Sequence, residues 1–135
     1  MARIILRSLG AFLCSSTFLL AACGGSFSPQ ARVVIDMQRA ICQNFNLADA
    51  APYVTEASKP MLELTSTFAM LGAAMSGQNF ADEFAKECHK GSAIVDEIRV
   101  NDQRYIIRYR EGSGALKEAI VVMENGQWKV ALIGK

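Results

Sequence analysis

The chain has 135 residues, of which 51 % are hydrophobic, and its formal net charge is +1 at pH 7. This length predicts one domain that is large enough to bury its own core without a structural metal ion. The balance of 14 basic and 13 acidic residues argues against the strongly basic surfaces that bind nucleic acid, so we expect no nucleic-acid partner.

Residues 1–22 have the composition of an export signal. Arg3 and Arg7 give a basic start, and a nearly apolar run of about a dozen residues follows and ends at Leu20. A membrane-spanning helix needs roughly 20 apolar residues. The short apolar core and the small residues that follow it therefore favour a cleaved secretory signal.

The boundary LAAC, residues 20–23, resembles the lipobox of bacterial lipoproteins. The resemblance implies that the thiol of Cys23 receives a diacylglyceryl group, that the chain is cut before it, and that the new amino group is acylated. Residues 23–28 are then a lipidated tether, because two or three acyl chains such as palmitate hold a protein stably in a bilayer. Gly24 favours the outer membrane, facing the periplasm, in a Gram-negative host. The alternative is an ordinary cleavage site with a chance cysteine.

Two of the four cysteines remain once the signal and the anchor are set aside. Cys14 lies in the signal and Cys23 at its end, which leaves Cys42 and Cys88. Paired cysteines tend to be oxidised in an exported protein, so we expect a disulfide between these two. Two buried free thiols, packed as small apolar residues, are the alternative.

Apolar residues at spacings of three and four predict three main helices. The first covers residues 29–44 and is capped by Ser28. The second covers residues 60–77 and the third residues 80–90, with a short helical piece near residues 49–55. The methionine-rich stripe of the second helix is either plain core or the lining of a ligand pocket.

After residue 91 the apolar period changes to two, which is typical of strands. Asn125 and Gly126 indicate a tight hairpin turn that places Met123 opposite Trp128. The fold predicted for residues 29–135 is α+β, with N-terminal helices packed on a curved four-stranded antiparallel meander sheet. The four predicted strands cover residues 94–100, 104–110, 116–123 and 128–133.

The two strand pairs carry a family resemblance. The sequences VDEIRVNDQRYIIRYR, residues 95–110, and ENGQWKVALIG, residues 124–134, resemble small bacterial lipoproteins with a domain of unknown function. These belong to the nuclear transport factor 2-like superfamily, also called SnoaL-like or cystatin-like. The resemblance implies a cone-like fold around an apolar pocket. It implies no activity, since the superfamily includes isomerases, dehydratases, binding modules and scaffolds.

Asp96 is the one candidate for catalysis. Strict alternation along the first strand turns it inward beside Tyr109, and a carboxyl in an apolar pocket can move protons. The alternative is a place at the rim of the sheet. The sole histidine, His89, follows Cys88 directly, and adjacent residues point apart, so we expect neither a nucleophile pair nor a metal site. No cofactor is expected.

These observations predict a lipid-anchored, exported protein that acts as a non-catalytic binding or assembly module of the bacterial cell envelope. Its expected partners are the bilayer, through acylated Cys23, and an envelope protein. The alternative is a binder of, or an enzyme acting on, a small apolar ligand in the cone pocket, with Asp96 as its acid or base. A pocket filled by its own side chains would instead favour a structural subunit. The pocket candidates are Met70, Met75, Phe84, Tyr109 and Trp128.

Overall fold

A computed structural model of the chain describes residues 27–77 and 80–132. The expected signal peptide and the expected lipidation site, Cys23, lie outside these ranges. Within them, no helix combines the length and the apolar character that crossing a bilayer requires. The elements, in chain order, are helix α1 (Pro29–Asn44), two short 3₁₀ helices (Leu47–Tyr53 and Glu56–Ser58), helices α2 (Lys59–Ser76) and α3 (Phe80–Lys90), and strands β1 (Ala93–Asn101), β2 (Arg104–Arg110), β3 (Leu116–Glu124) and β4 (Gln127–Ala131).

The predicted α+β class is confirmed. The four strands form an antiparallel meander in the order β1-β2-β3-β4, and the sheet does not close on itself. Helices α1 and α3 have the predicted bounds, and α2 begins and ends one residue before its predicted bounds. The short helical piece between α1 and α2 is present, as two 3₁₀ helices.

Helix α1 is fixed at both ends by backbone chemistry. At its start, the hydroxyl oxygen of Ser28 accepts the Ala31 N–H at 3.0 Å, and the same hydroxyl donates to the carboxylate of Glu97 on β1 at 2.7 Å. Pro29 occupies the first turn, where its missing N–H costs nothing. At the end, Phe45 takes a left-handed conformation with φ of 50° and donates its N–H to the Ile41 carbonyl.

The core lies between α1, the first 3₁₀ helix and the inner face of the sheet. Val34 of α1 and Ile107 of β2 are both fully buried, and each such side chain contributes roughly 1.5–3 kcal/mol by leaving water. The buried apolar residues of this core are Ala31, Val34, Met37, Ile41, Ala50, Val54, Leu62, Ile107, Tyr109, Ala119, Val121 and Val130.

The β3–β4 hairpin has the predicted register. Met123 pairs with Trp128, and Val121 pairs with Val130. Gly126 adopts a positive φ of 77° beside Asn125 at 50°, which is the backbone that a two-residue hairpin turn requires.

The free side of β4 is covered by the segment between the two 3₁₀ helices. Val54 forms a parallel bridge with Val130, and the Thr55 N–H donates to the Val130 carbonyl at 3.0 Å. The buried hydroxyls of Thr55 and Ser58 lie 2.7 Å apart, and Ser58 also accepts the Leu132 N–H at 2.9 Å. These bonds satisfy the polar groups that the contact buries.

Strand β1 departs from the alternation that the sequence predicted. Ile94 pairs with Tyr109, but Asp96 pairs with Arg108, so the register shifts by one residue at Val95. A residue inserted into one strand in this way moves the side chains that follow it to the opposite face, up to the next shift. Asp96 therefore lies on the outer face of the sheet, and the prediction that it points into a pocket beside Tyr109 is wrong.

Candidate functional site

A cleft of about 800 Å³ lies between α1 and α3. Ile35, Ile41 and Leu47 supply apolar walls. Its polar lining includes Gln38, Arg39, Lys86, Glu87 and Glu111, so the cleft differs from the enclosed apolar pocket that the family resemblance implied.

The predicted disulfide between Cys42 and Cys88 is present and lines this cleft. It joins α1 to α3 across 46 residues of sequence, with a Cα–Cα distance of 5.5 Å. The bond therefore ties the helix that forms the core to a helix at its margin.

A second tie holds α3 against the β2–β3 connection. The carboxylate of Glu87 accepts the Ser113 N–H at 3.1 Å. At Gly112 the backbone passes so close to α3 that an added Cβ would lie 2.1 Å from the Glu87 carbonyl oxygen. Only glycine fits this approach, which keeps the loop and the end of α3 together at the cleft.

Tyr109 is a titratable core residue that contacts Gln38 in the lining of the cleft. It is 8 % exposed, and its hydroxyl oxygen accepts the Gln38 side-chain N–H at 3.5 Å. Burial is the main cause that raises the pKa of Tyr109, and the negative charge of Glu111 adds to it. The hydrogen bond from Gln38 acts in the opposite direction. The phenol therefore stays neutral over the physiological range.

Asp96 belongs to a charged group on the outer face. Arg108 donates from Nε to Glu118 at 2.8 Å, and its terminal nitrogen lies 3.9 Å from the Asp96 carboxylate. The hydrogen bond from Arg108 to Glu118 is the main cause that raises the pKa of Arg108, with their charge attraction second. All three side chains are 41–54 % exposed, so the group is screened by water and contributes little to stability. The hypothesis of an enzyme that uses Asp96 as its acid or base in an apolar pocket therefore loses its structural basis.

The structure does not gather the five pocket candidates into one site. Tyr109 is buried beside α1, and Trp128 is half-buried at the other edge of the sheet, where its ring meets that of Tyr105 edge to face at 5.4 Å. Met70 and Met75 of α2 are 71 % and 88 % exposed, because neither is covered by another described part of the chain. Phe84 lies on α3, and its side chain is outside the described part of the molecule.

One face of α2 carries a row of exposed apolar side chains. The row consists of Met61, Leu64, Phe68, Leu71 and Met75, which are 47 %, 57 %, 64 %, 54 % and 88 % exposed, and we call it the α2 stripe. The opposite side of the helix faces the domain through Leu62, which is 6 % exposed, and half-buried Ser66 and Ala69. The sequence predicts these five positions as the apolar face of a helix that is either core or the lining of a pocket, and their exposure agrees with neither.

Within residues 27–77 and 80–132, no group of three or more histidine, cysteine or acidic side chains could hold a metal ion. Comparison of the chain with protein-family models, with curated proteins and with solved structures finds no match. The α1–α3 cleft and the α2 stripe are therefore identified as candidate sites from the geometry of this chain alone.

Proposed function

We propose that this protein is an exported lipoprotein, anchored through acylated Cys23, that acts as a non-catalytic binding or assembly module of the bacterial cell envelope. The α2 stripe carries the proposal. Exposed apolar surface costs about 25 cal/mol for each Å² left in water, and contiguous patches of it mark interaction sites. Five large side chains along one helix form such a patch.

The compartment is supported by two features of the chain. The LAAC boundary at residues 20–23 resembles a lipobox, and Gly24 after it favours the outer membrane in a Gram-negative host. The Cys42–Cys88 disulfide is typical of proteins that fold in an oxidising compartment such as the periplasm. We also propose that the helices and the open meander sheet are a version of the cone-like fold of the nuclear transport factor 2-like superfamily, which the two sequence hairpins resemble.

The anchor is tested by labelling cells that express the full chain with radioactive palmitate. We expect the label in the membrane fraction for the wild type, and none in the Cys23→Ala variant. Cys14→Ala is the matched control, because this cysteine lies in the proposed signal and should leave labelling unchanged. Label that persists in Cys23→Ala, or a wild-type chain without label, would refute the anchor.

The assembly role is tested by native electrophoresis of gently solubilised membranes. We expect the wild-type chain to migrate in a complex larger than the monomer. The Phe68→Glu variant should lose this complex, because a charge in the stripe cannot be buried without a partner. The Met70→Glu variant places the same charge on another exposed methionine position of α2, off the stripe, and should retain the complex. Wild-type chain found only as monomer would contradict the role.

A second candidate function rests on the α1–α3 cleft. Its volume of about 800 Å³ lies within the range of small-molecule sites, roughly 300–1,000 Å³, and Ile35, Ile41 and Leu47 give it apolar walls. A chain that holds a small apolar molecule there would show a greater mass under native than under denaturing conditions. Equal masses for protein purified from its host would reject this candidate.

A further inference from the structure

The α2 stripe has the spacing of a helix–helix contact. Its five residues follow one another at intervals of three, four, three and four, which is a repeat of 3.5 residues. Side chains at this repeat stay in register along a second helix and form the a and d positions of a two-helix seam. The stripe therefore has the geometry of one half of such a seam, and in the described structure the other half is not supplied.

We propose that the other half is the α2 stripe of a second copy of this chain, so that the protein is a homodimer in which two α2 helices pack together. This inference rests on the proposed assembly role and names its partner. A two-fold axis allows one surface patch to meet itself, which is the commonest arrangement among soluble homo-oligomers.

The charges of α2 favour a second copy over a partner that is selected by charge. In a two-helix seam the positions beside a and d usually carry the charges that select the partner. In α2 they are uncharged and small, and include Thr65, Thr67 and Ala74. The charged residues of the helix are Lys59 and Glu63, both in its first two turns. Two copies thus meet without opposed like charges.

The charges of α2 also argue against a membrane surface as the structure that covers the α2 stripe. Helices that lie in the bilayer interface carry lysine and arginine on a polar face opposite the apolar one. Beyond Lys59, α2 has no basic residue, and its face opposite the stripe is used by Leu62 and Ala69 to pack on the domain.

The surface available is sufficient for a dimer. The stripe runs from Met61 to Met75, which at 1.5 Å per residue is about 21 Å of helix. Two copies bring together ten large side chains, each about half exposed or more, and could cover on the order of 1,000 Å². That is near the lower limit for a specific protein interface.

Phe68 is the residue to test, because it is the middle member of the stripe. In a parallel pair of helices it meets its own counterpart, and in an antiparallel pair full overlap of the two stripes brings their midpoints together. A cysteine at this position should therefore cross-link the dimer in either orientation. Met70, which is 71 % exposed but lies off the stripe, gives a matched control.

The experiment uses the full chain expressed in bacterial cells, oxidised with copper phenanthroline and analysed on non-reducing gels. We expect Phe68→Cys to yield a band of twice the monomer mass that reductant removes. Met70→Cys and the parent chain should yield little of it. The inference is overturned if Phe68→Cys gives no such band, or if Met70→Cys gives as much.

A second measurement keeps the test independent of cysteine chemistry and of folding defects. Sedimentation of the detergent-solubilised full chain should show a dimer that Phe68→Glu converts to monomer and Met70→Glu leaves intact, with unchanged circular dichroism in both. A dimer that survives Phe68→Glu overturns the inference. If Phe68→Cys cross-links only to a different protein, the homodimer is overturned, but the proposed assembly role is retained. A monomer that cross-links to nothing overturns both.

Discussion

Helices α1 and α2 have similar lengths, 16 and 18 residues, and opposite surroundings. Each has an apolar stripe at helical spacing. In α1 the stripe contains Val34 and Met37, which are 0 % and 6 % exposed against the sheet. In α2 the stripe contains Phe68 and Met75, which are 64 % and 88 % exposed.

The difference shows that an apolar stripe indicates a helix face that favours burial. It does not indicate whether the covering surface belongs to the same chain or to another molecule. For α1 the partner is the inner face of the sheet, supplied by the same chain. For α2, the part of the chain that the structure describes buries the opposite side, at Leu62, and leaves the stripe exposed. A contiguous row of large exposed apolar side chains is typical of interaction surfaces, and this is the observation on which our proposal of a second copy rests.

The largest expected effect comes from removing the bond that joins the two regions. The Cys42→Ser/Cys88→Ser variant should lose about 4 kcal/mol of unfolding free energy, since the disulfide closes a 46-residue separation in the unfolded chain. Urea denaturation measures the loss, and hydrogen exchange should show α3 opening before α1. Equal protection of both helices in the variant would mean that other contacts hold α3.

Truncating one methionine in each apolar stripe compares the burial of the α1 stripe with that of the α2 stripe. Met37→Ala removes a side chain that is 6 % exposed and should cost about 2–5 kcal/mol, because it leaves a cavity. Met75→Ala removes one that is 88 % exposed and should change the stability of the monomer by less than about 0.5 kcal/mol. Urea denaturation at a protein concentration that keeps the chain monomeric gives both values. Similar costs at the two positions would mean that the α2 stripe is covered within the monomer.

Removing the Ser28 hydroxyl, which caps α1 and bonds to strand β1, should have a smaller effect on the free energy of unfolding. Ser28→Ala removes the oxygen that accepts the Ala31 N–H and donates to Glu97, and should cost about 1 kcal/mol. Ser28→Thr keeps the hydroxyl and serves as the control, with a loss of a few tenths of a kcal/mol at most. Thermal unfolding of the two variants measures the difference. A threonine variant as unstable as the alanine one would show that the hydroxyl is not what holds the cap.

The smallest expected effect is confined to alkaline pH. Burial, aided by Glu111, raises the pKa of Tyr109 above the usual value of about 10 for a free tyrosine. The unfolded chain therefore releases this proton first, so the stabilisation is complete below about pH 10 and is lost as pH rises through the folded pKa. Tyr109→Phe should reduce the alkaline fall in stability seen by denaturant titration. An identical fall in wild type and variant would mean that other groups cause it.

Much of the fold could be predicted from the sequence, because its local signals agree with its packing. Helix α1 has its predicted bounds, since the Ser28 cap and the apolar period indicate the same segment. The β3–β4 register follows from Asn125-Gly126, because a two-residue turn leaves only one way to pair Met123 and Trp128. The disulfide between Cys42 and Cys88 could be predicted because these two cysteines remain once Cys14 is assigned to the signal and Cys23 to the anchor.

The candidate site could be predicted less well. The alternation of apolar and polar residues does not reveal a register shift, because the shift depends on how β1 pairs with β2, and the alternation therefore predicts the wrong face for Asp96. Periodicity likewise identified the α2 stripe but not its exposure, because exposure depends on what the rest of the chain can cover.

The register shifts of β1 also bear on how copies of this chain can meet. β1 is an outer strand of the sheet, and a regular outer strand offers its backbone groups to any other strand, which leads to sheet extension and aggregation. Shifts after Ile94 and after Arg99 break that ladder into short pieces. The outer side of β4 is already occupied at Val130 by Val54. Because both margins of the sheet are unsuited to adding strands, many copies of this protein can be present at high concentration without their sheets polymerising.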